Sequence, residues 1–353
     1  MAKEVAFKNV SDQKFFVECL EASQASVDDM TDGVPKVFDN DFDDHAKYVM
    51  IDMYGMLFPD CDTSKKPVMF FRHTNKEKYR FGGFIELGDT YLSTQQGGHY
   101  TDIAQKDTTV DEYCKLCDDP LTYGIGTKEP FSEYRFYDGY STWKEGDFFD
   151  VKAEPWPVTI YDHQSAYVNL SEIWQPAIIT GTYEGKPVIG LGGYDRVFMR
   201  QSVNKDTGED LGYFYVNLAG VREDGRREQM LMNVDFIHGK VLAYYWLEGE
   251  KPVLSDTVSI EADWVHLPYV DDGTCVYKTA VFRFGGKEIH FEGKWRSKGF
   301  TGHPRIERHG QSQVFGTFYE GNTPYKHTLF LSFNEQMEAY DHVLKKLGFD
   351  VID

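Results

Sequence analysis

The phrase Gly181-Thr182-Tyr183-Glu184-Gly185, near the middle of the chain, returns near its end as Gly316-Thr317-Phe318-Tyr319-Glu320-Gly321. Each copy lies between runs rich in aromatic and β-branched residues. Each closes on Glu-Gly, where glycine supplies the positive φ of a tight hairpin turn. A hairpin that occurs twice predicts two related β-domains. The length of 353 residues agrees, since it exceeds one ordinary core and suits two domains of roughly 150 residues. The expected boundary lies in the polar run Asn204–Asp210, which gives domains 1–203 and 204–353.

Further turn signals follow at Asp224-Gly225, His238-Gly239, Glu248-Gly249 and Gly285-Gly286, each between strand-like runs. In the first half, Tyr48–Leu57, Pro67–His73, Tyr79–Leu87, Tyr134–Tyr137 and Val158–Tyr161 read as strands. No helical stretch of the length a βαβ crossover needs separates them, so a parallel α/β fold is excluded. Consecutive strands joined by tight turns form a meander, and a long meander closes into a barrel or sandwich. The predicted fold is all-β: two consecutive antiparallel lipocalin-like β-barrels with short N- and C-terminal helices. Ser11 is expected to cap the first helix, with Phe15, Phe16, Cys19 and Leu20 as its apolar stripe. Asn334 is expected to cap the last, which runs to about Leu347 with Gly348 as its C′ residue. Residues 94–130 read as a polar excursion with a short helix near Val110–Leu116.

Composition narrows the function classes. A formal net charge of −20 argues against nucleic acid and against anionic membrane surfaces, both of which need clustered Lys and Arg. The N-terminus lacks the apolar stretch of a signal peptide, and no run of 18 apolar residues occurs, so a cytoplasmic protein is expected. Five cysteines fit reduced thiols better than a disulfide framework. An aromatic content of 16 %, mainly 26 Phe and 23 Tyr, supplies large apolar side chains for a core or a ligand cavity.

Several motifs are weighed and set aside. Cys114-Lys115-Leu116-Cys117 lacks the second ligand pair of a structural zinc site and the βαβ context of a thioredoxin motif. Gly190-Leu191-Gly192-Gly193 does not open a helix, so its glycines mark a close strand approach rather than a phosphate loop. No nucleophile elbow occurs. No metal or other cofactor is called for.

Polar residues within aromatic strands remain. Tyr161-Asp162-His163 and Tyr194-Asp195-Arg196 lie in the first half. Asp263-Trp264-Val265-His266, His290-Phe291-Glu292 and the run His303–His309 lie in the second. A carboxylate beside an imidazole forms a general acid/base pair, and a tyrosine hydroxyl can donate to a developing oxyanion. Strand alternation puts Tyr161 with His163 on one face and Tyr194 with Arg196 on one face, with Asp162 and Asp195 opposite. The catalytic candidates are therefore Tyr161, His163, Tyr194, Arg196 and Asp195. The substrate-binding candidates are Trp174, Trp264, His266, Asp263 and His303.

The glycine-rich segment Gly181–Arg196 in the first half, and Trp264 with Glu292-Gly293-Lys294-Trp295 through Phe333 in the second, resemble the AttH and carotenoid hydratase superfamily, which includes kievitone hydratase. The resemblance spans roughly residues 45–335. It implies tandem lipocalin-type barrels and a cofactor-free hydratase, cyclase or isomerase acting on a hydrophobic polyene or phenolic. It also implies a site at the barrel interface that uses His, Asp, Tyr and Trp. Trp264-Val265-His266 reverses the His-x-Trp order expected for carotenoid hydration, which argues against a carotenoid substrate.

The leading expectation is thus a lyase or isomerase working by acid/base catalysis on an apolar or aromatic small molecule, with homo-oligomerisation compatible with it. A non-catalytic hydrophobic-ligand carrier is the alternative. A carbohydrate-active β-sandwich is a third reading, which needs Trp143, Trp156 or Trp174 exposed as stacking platforms.

Overall fold

The structure, a computed structural model, describes residues 2–19, 48–75, 80–86, 97–101, 122–125, 132–137, 139–145, 147, 149–164, 170–199, 212–267, 271–297 and 311–352. Its strands sort into two antiparallel sheets, each in its own unit. The predicted boundary at residues 203–204 lies outside the described residues, as do Cys114, Cys117, His303 and the helix expected near Val110–Leu116.

The N-terminal unit is built from β2 (Lys14–Cys19), β3 (Tyr48–Pro59), β4 (Val68–Asn75), β5 (Arg80–Glu86), β6 (Gly97–Thr101), β7 (Thr122–Ile125), β8 (Ser132–Tyr137), β9 (Tyr140–Glu145), β10 (Phe149–Pro155), β11 (Val158–Gln164), β12 (Leu170–Tyr183) and β13 (Lys186–Met199). They run β6-β5-β4-β3-β13-β12-β10-β9-β8-β7, with β11 on β12 and β2 on β11. The C-terminal unit takes β1 (Glu4–Lys8) together with β14 (Tyr213–Arg222), β15 (Arg227–Asp235), β16 (Lys240–Leu247), β17 (Val253–Ser255), β18 (Thr257–His266), β19 (Cys275–Phe284), β20 (Lys287–Ser297), β21 (Ser312–Glu320), β22 (His327–Gln336), α1 (Asp341–Leu347) and β23 (Val351–Ile352). Their order is β1-β18-β19-β20-β21-β22-β14-β15-β16-β17, with β23 parallel to β18. Both sheets are of the curled, lipocalin-like kind.

The repeated phrase holds equivalent places in the two units. In each, the first long barrel strand pairs with the next strand and with the last: β3 with β4 and β13, β14 with β15 and β22. The phrase ends the strand before that last one and makes the turn into it. Glu184 and Gly185 have φ of 51° and 73°, a primed hairpin turn, and Gly321 has φ of 81°. Its leading glycine is also required in each copy. A Cβ on Gly181 would run into the carbonyl oxygen of Asp150 on β10, and one on Gly316 into that of Glu292 on β20.

The segment Lys14–Cys19 is a strand, not the helix expected after Ser11. Its Phe15, Phe16 and Val17 pair with Asp162, Tyr161 and Ile160 on β11, and that distant ladder outweighs the helical spacing of Phe15 and Phe16 to Cys19 and Leu20. The C-terminal helix begins at Asp341 instead of after Asn334. β22 continues to Gln336 along β14, and the Asn334 side chain is used elsewhere. Its Nδ2 donates to the Val314 carbonyl at 3.0 Å and to Ser332 Oγ at 2.9 Å, while Ser332 Oγ accepts the Gly316 N–H at 3.1 Å. These side chains stand in for the ladder where β21 and β22, paired only over Ser312–Val314, part company. Gly348 does end α1 in the left-handed conformation, its N–H donating to Leu344 and Lys345.

The C-terminal barrel is filled. Phe214, Val216, Leu218, Met230, Met232, Tyr245, Ile260, Trp264, Tyr277, Phe282 and Phe291 form one buried cluster, joined at one end by Leu344 of α1 and by Phe349. No helix among the described residues is long and apolar enough to cross a membrane.

Candidate functional site

Strand register in the N-terminal unit gathers four of the predicted residues. Tyr161 on β11 lies opposite Ile173 on β12, and Ile173 lies opposite Arg196 on β13. Tyr194 lies opposite Gln175, and His163 opposite Ser171. Directly paired residues share a face, so Tyr161, His163, Tyr194 and Arg196 occupy one face of three adjacent strands, around Gln175. Toward the hairpin end the same face becomes apolar core: Ala177, Ile179, Val188, Phe149, Val151 and Phe70 are buried there. Phe70 packs against Trp143 and Phe149 with ring centroids 5.3 and 5.4 Å away. Tyr161 itself is 2 % exposed, and the Phe16 ring of β2 stacks on it at 4.9 Å.

Asp162, Trp174 and Asp195 lie on the opposite face. Asp162 is buried and accepts a hydrogen bond from Gln13 Nε2 at 2.9 Å. Trp174 is buried directly across from Asp195, which is partly exposed. Trp143, Trp156 and Trp174 are each 1 % exposed, so they do not form the open stacking platform that the carbohydrate reading required.

The second-half candidates are dispersed. Trp264 is part of the barrel core, between the rings of Phe214, Tyr277 and Phe349. Asp263 sits at a β-bulge and accepts from Thr279 Oγ1 at 2.7 Å. His266 reaches toward Asp341, with Nε2 at 3.4 Å from Oδ2. Among the described residues these three do not converge on one point.

A different cluster in the C-terminal unit escaped the sequence reading. Glu228, at the start of β15, is fully buried. It accepts from Arg222 Nη2 at 2.6 Å, Tyr245 at 2.8 Å, Tyr325 at 2.6 Å and His327 Nε2. Arg222 also lies over the Tyr325 ring, 4.2 Å from its centre. Gly220 makes room for the imidazole, since a Cβ there would strike the His327 ring. Burial alone would raise the Glu228 carboxyl, but the His327 and Arg222 hydrogen bonds and charges outweigh it and hold the group at about 2. Burial, followed by the Glu228 charge, pushes both Tyr245 and Tyr325 upward. A carboxylate with this many donors is a spent acceptor. It stays ionised and closes one end of the barrel instead of taking protons from a ligand. The signal was present in the alternation: Glu228 shares its face with Met230 and Met232, where an apolar residue is expected.

The fold defines a class: an all-β protein of two consecutive lipocalin-type barrels. No family profile and no curated protein matches the chain. Among solved structures it is similar to a provisionally assigned AttH protein of Nitrosomonas europaea, at 12 % identity and a TM-score of 0.56, covering 91 % of this chain and 98 % of that one. Kievitone hydratase of Nectria haematococca matches at 9 % identity and a TM-score of 0.43, over 95 % of this chain and 99 % of the other. CghA with Sch210972 matches at 10 % identity and a TM-score of 0.36, over 96 % and 99 %. The AttH fold resemblance expected from the sequence is therefore present in the structure.

Proposed function

We propose that this chain is a cofactor-independent lyase or isomerase that moves protons on an apolar or aromatic small molecule held at the first barrel. The observation that supports it most directly is the register that sets Tyr161, His163, Tyr194 and Arg196 on one face beside a buried apolar floor. In this reading Tyr161 and His163 supply the acid and base, and Tyr194 and Arg196 take the carbonyl or phenolate oxygen on which charge develops. A dry apolar floor strengthens such interactions, because little solvent competes for the charge. The carrier reading predicts scattered polar groups instead of convergent ones.

The test begins by identifying small molecules that co-purify with the protein, using mass spectrometry. Each is then incubated with the protein in deuterated water. Deuterium incorporation or conversion is expected with the wild type, and a loss on the order of 100-fold is expected in His163→Ala, Tyr194→Phe and Arg196→Ala. Unchanged rates in all three variants would refute the assignment, and tight binding without any conversion would favour the carrier.

A further inference from the structure

The inner wall of the C-terminal barrel turns polar along β22. Strand register puts its Ser332, Asn334 and Gln336 on the face shared by Leu218, Val216 and Phe214 of β14, with Ser312 of β21 opposite Gln336. Asn334, Gln336 and Ser312 are fully buried. The first barrel builds the equivalent wall without them. Val314 faces Asn334 and Ser312 faces Gln336 in the second barrel. At the same distances before the repeated phrase, Ile179 faces Gly190 and Ala177 faces Gly192 in the first. The two amides are therefore a feature of this barrel and not a requirement of the fold.

Three buried polar atoms on this wall have no hydrogen-bond partner among the described residues. Asn334 commits its Nδ2 to the Val314 carbonyl and to Ser332 Oγ, which leaves its Oδ1 over. Gln336 Oε1 lies 3.0 Å from Ser312 Oγ, itself 2.7 Å from the Cys275 carbonyl oxygen, and Gln336 Nε2 is left over. The indole Nε1 of Trp264, a residue 1 % exposed, is the third. Trp264 and Gln336 flank one ring. The centre of the Phe214 ring is 5.6 Å from that of Trp264. Phe214 is also the direct cross-strand partner of Gln336, a relationship that sets Cβ atoms about 4.5–5.5 Å apart. Ser312 ties the same region to β19, since Cys275 stands two residues from Tyr277, the direct partner of Trp264. Each unpartnered group is costly to bury unless something bonds to it.

We propose that the C-terminal barrel binds one small neutral hydroxylic molecule, water or a short alcohol, between Trp264, Gln336 and Asn334. A hydroxyl oxygen accepts two hydrogen bonds and donates one, which matches the indole N–H, the Gln336 amide N–H and the Asn334 carbonyl. The core cluster around it contains no carboxylate, Lys or Arg, so a charged ligand would find nothing to offset its desolvation. Packed rings at its flank keep the occupant small: the Phe349 ring centre is 5.7 Å from that of Trp264 and 6.0 Å from that of Phe214. This goes beyond the function proposed above and does not depend on it, since the site lies in the other unit.

Nuclear magnetic resonance of the full chain, with its tryptophans isotope-labelled, reads the site. The Trp264 indole proton is assigned by through-bond correlation and by its loss in Trp264→Phe. It should show cross-relaxation with water, or with methanol added as the probe. The effect should have opposite sign in the laboratory and rotating frames, which separates a bound molecule from proton exchange. An effect to water that methanol does not displace identifies water as the occupant. An effect to methanol that saturates on titration identifies an alcohol site. Gln336→Met keeps the bulk of the side chain but loses the amide, and the effect should be lost with it. The proposal is overturned if the wild-type indole proton shows no such effect to either molecule, a result that stands even where the variant fails to fold. An effect of unchanged strength in folded Gln336→Met overturns it too.

Discussion

Asn9 Oδ1 accepts the backbone N–H of Val241 at 3.2 Å, although the two residues stand 232 positions apart in the chain. The contact is part of a longer staple. β1 pairs with β18 over Glu4–Lys8, Asn9 N–H donates to Asp256, and Val10 N–H donates to Gly239 beside β16. The first ten residues thus help to close the C-terminal barrel between β18 and β16.

Removing residues 2–10 should therefore destabilise the C-terminal unit specifically. Hydrogen exchange is expected to accelerate in β16 and β18 while β12 and β13 keep their protection. Asn9→Ala alone should cost about 1 kcal/mol, the usual net value of one such hydrogen bond, in urea denaturation. Equal loss of protection in both units would show that the staple is not local.

The buried network around Glu228 predicts a severe substitution. Glu228→Gln leaves Arg222 in the barrel end without its carboxylate, and about 3–5 kcal/mol of stability should be lost. Gly220→Ala should displace the His327 ring and cost about 1–3 kcal/mol, as overpacking does. Thermal unfolding measures both, and a Gly220→Ala protein as stable as wild type would contradict the close approach.

Acid should weaken the same network. The folded Glu228 carboxyl is held at about 2, below its ordinary value of 4.5. A depressed carboxyl contributes stability that is fully present above the ordinary value and is lost as pH falls through the folded one. The contribution is on the order of 3 kcal/mol, and its loss should fall between about pH 4.5 and pH 2. Denaturant midpoints measured across that range should drop more steeply for wild type than for Glu228→Gln. Parallel curves would assign the acid sensitivity to other carboxylates.

The two copies of the repeated phrase should respond alike. Gly181→Ala and Gly316→Ala each push a Cβ against a backbone carbonyl that the sheet holds in place. Each should cost about 2 kcal/mol or more in its own unit. Hydrogen exchange resolved by segment separates them: β10 and β12 for the first, β20 and β21 for the second.

The sequence alone determined the elements whose cause is local. Glu184-Gly185, Asp224-Gly225 and Gly285-Gly286 mark their hairpins because a tight turn needs φ values that glycine adopts freely, and the observed φ of 73°, 86°, 55° and 79° at Gly185, Gly225, Gly285 and Gly286 follow. Alternation along each strand likewise set Tyr161 with His163 and Tyr194 with Arg196, because side chains alternate faces whatever their surroundings. Tertiary structure decided what depends on partners far along the chain. Phe15, Phe16, Cys19 and Leu20 have helical spacing, yet Phe15, Phe16 and Cys19 lie in a strand, because Phe15 and Phe16 pair with Asp162 and Tyr161 of β11 in a ladder that outweighs the local spacing. Asn334 has the chemistry of a helix cap yet bridges a gap between β21 and β22. Register between strands, unlike alternation within one, is fixed by packing across the whole sheet. That is why the meeting of Trp264 and Gln336 about Phe214, and the gathering of Arg222, Tyr245, Tyr325 and His327 on Glu228, emerged only from the folded molecule.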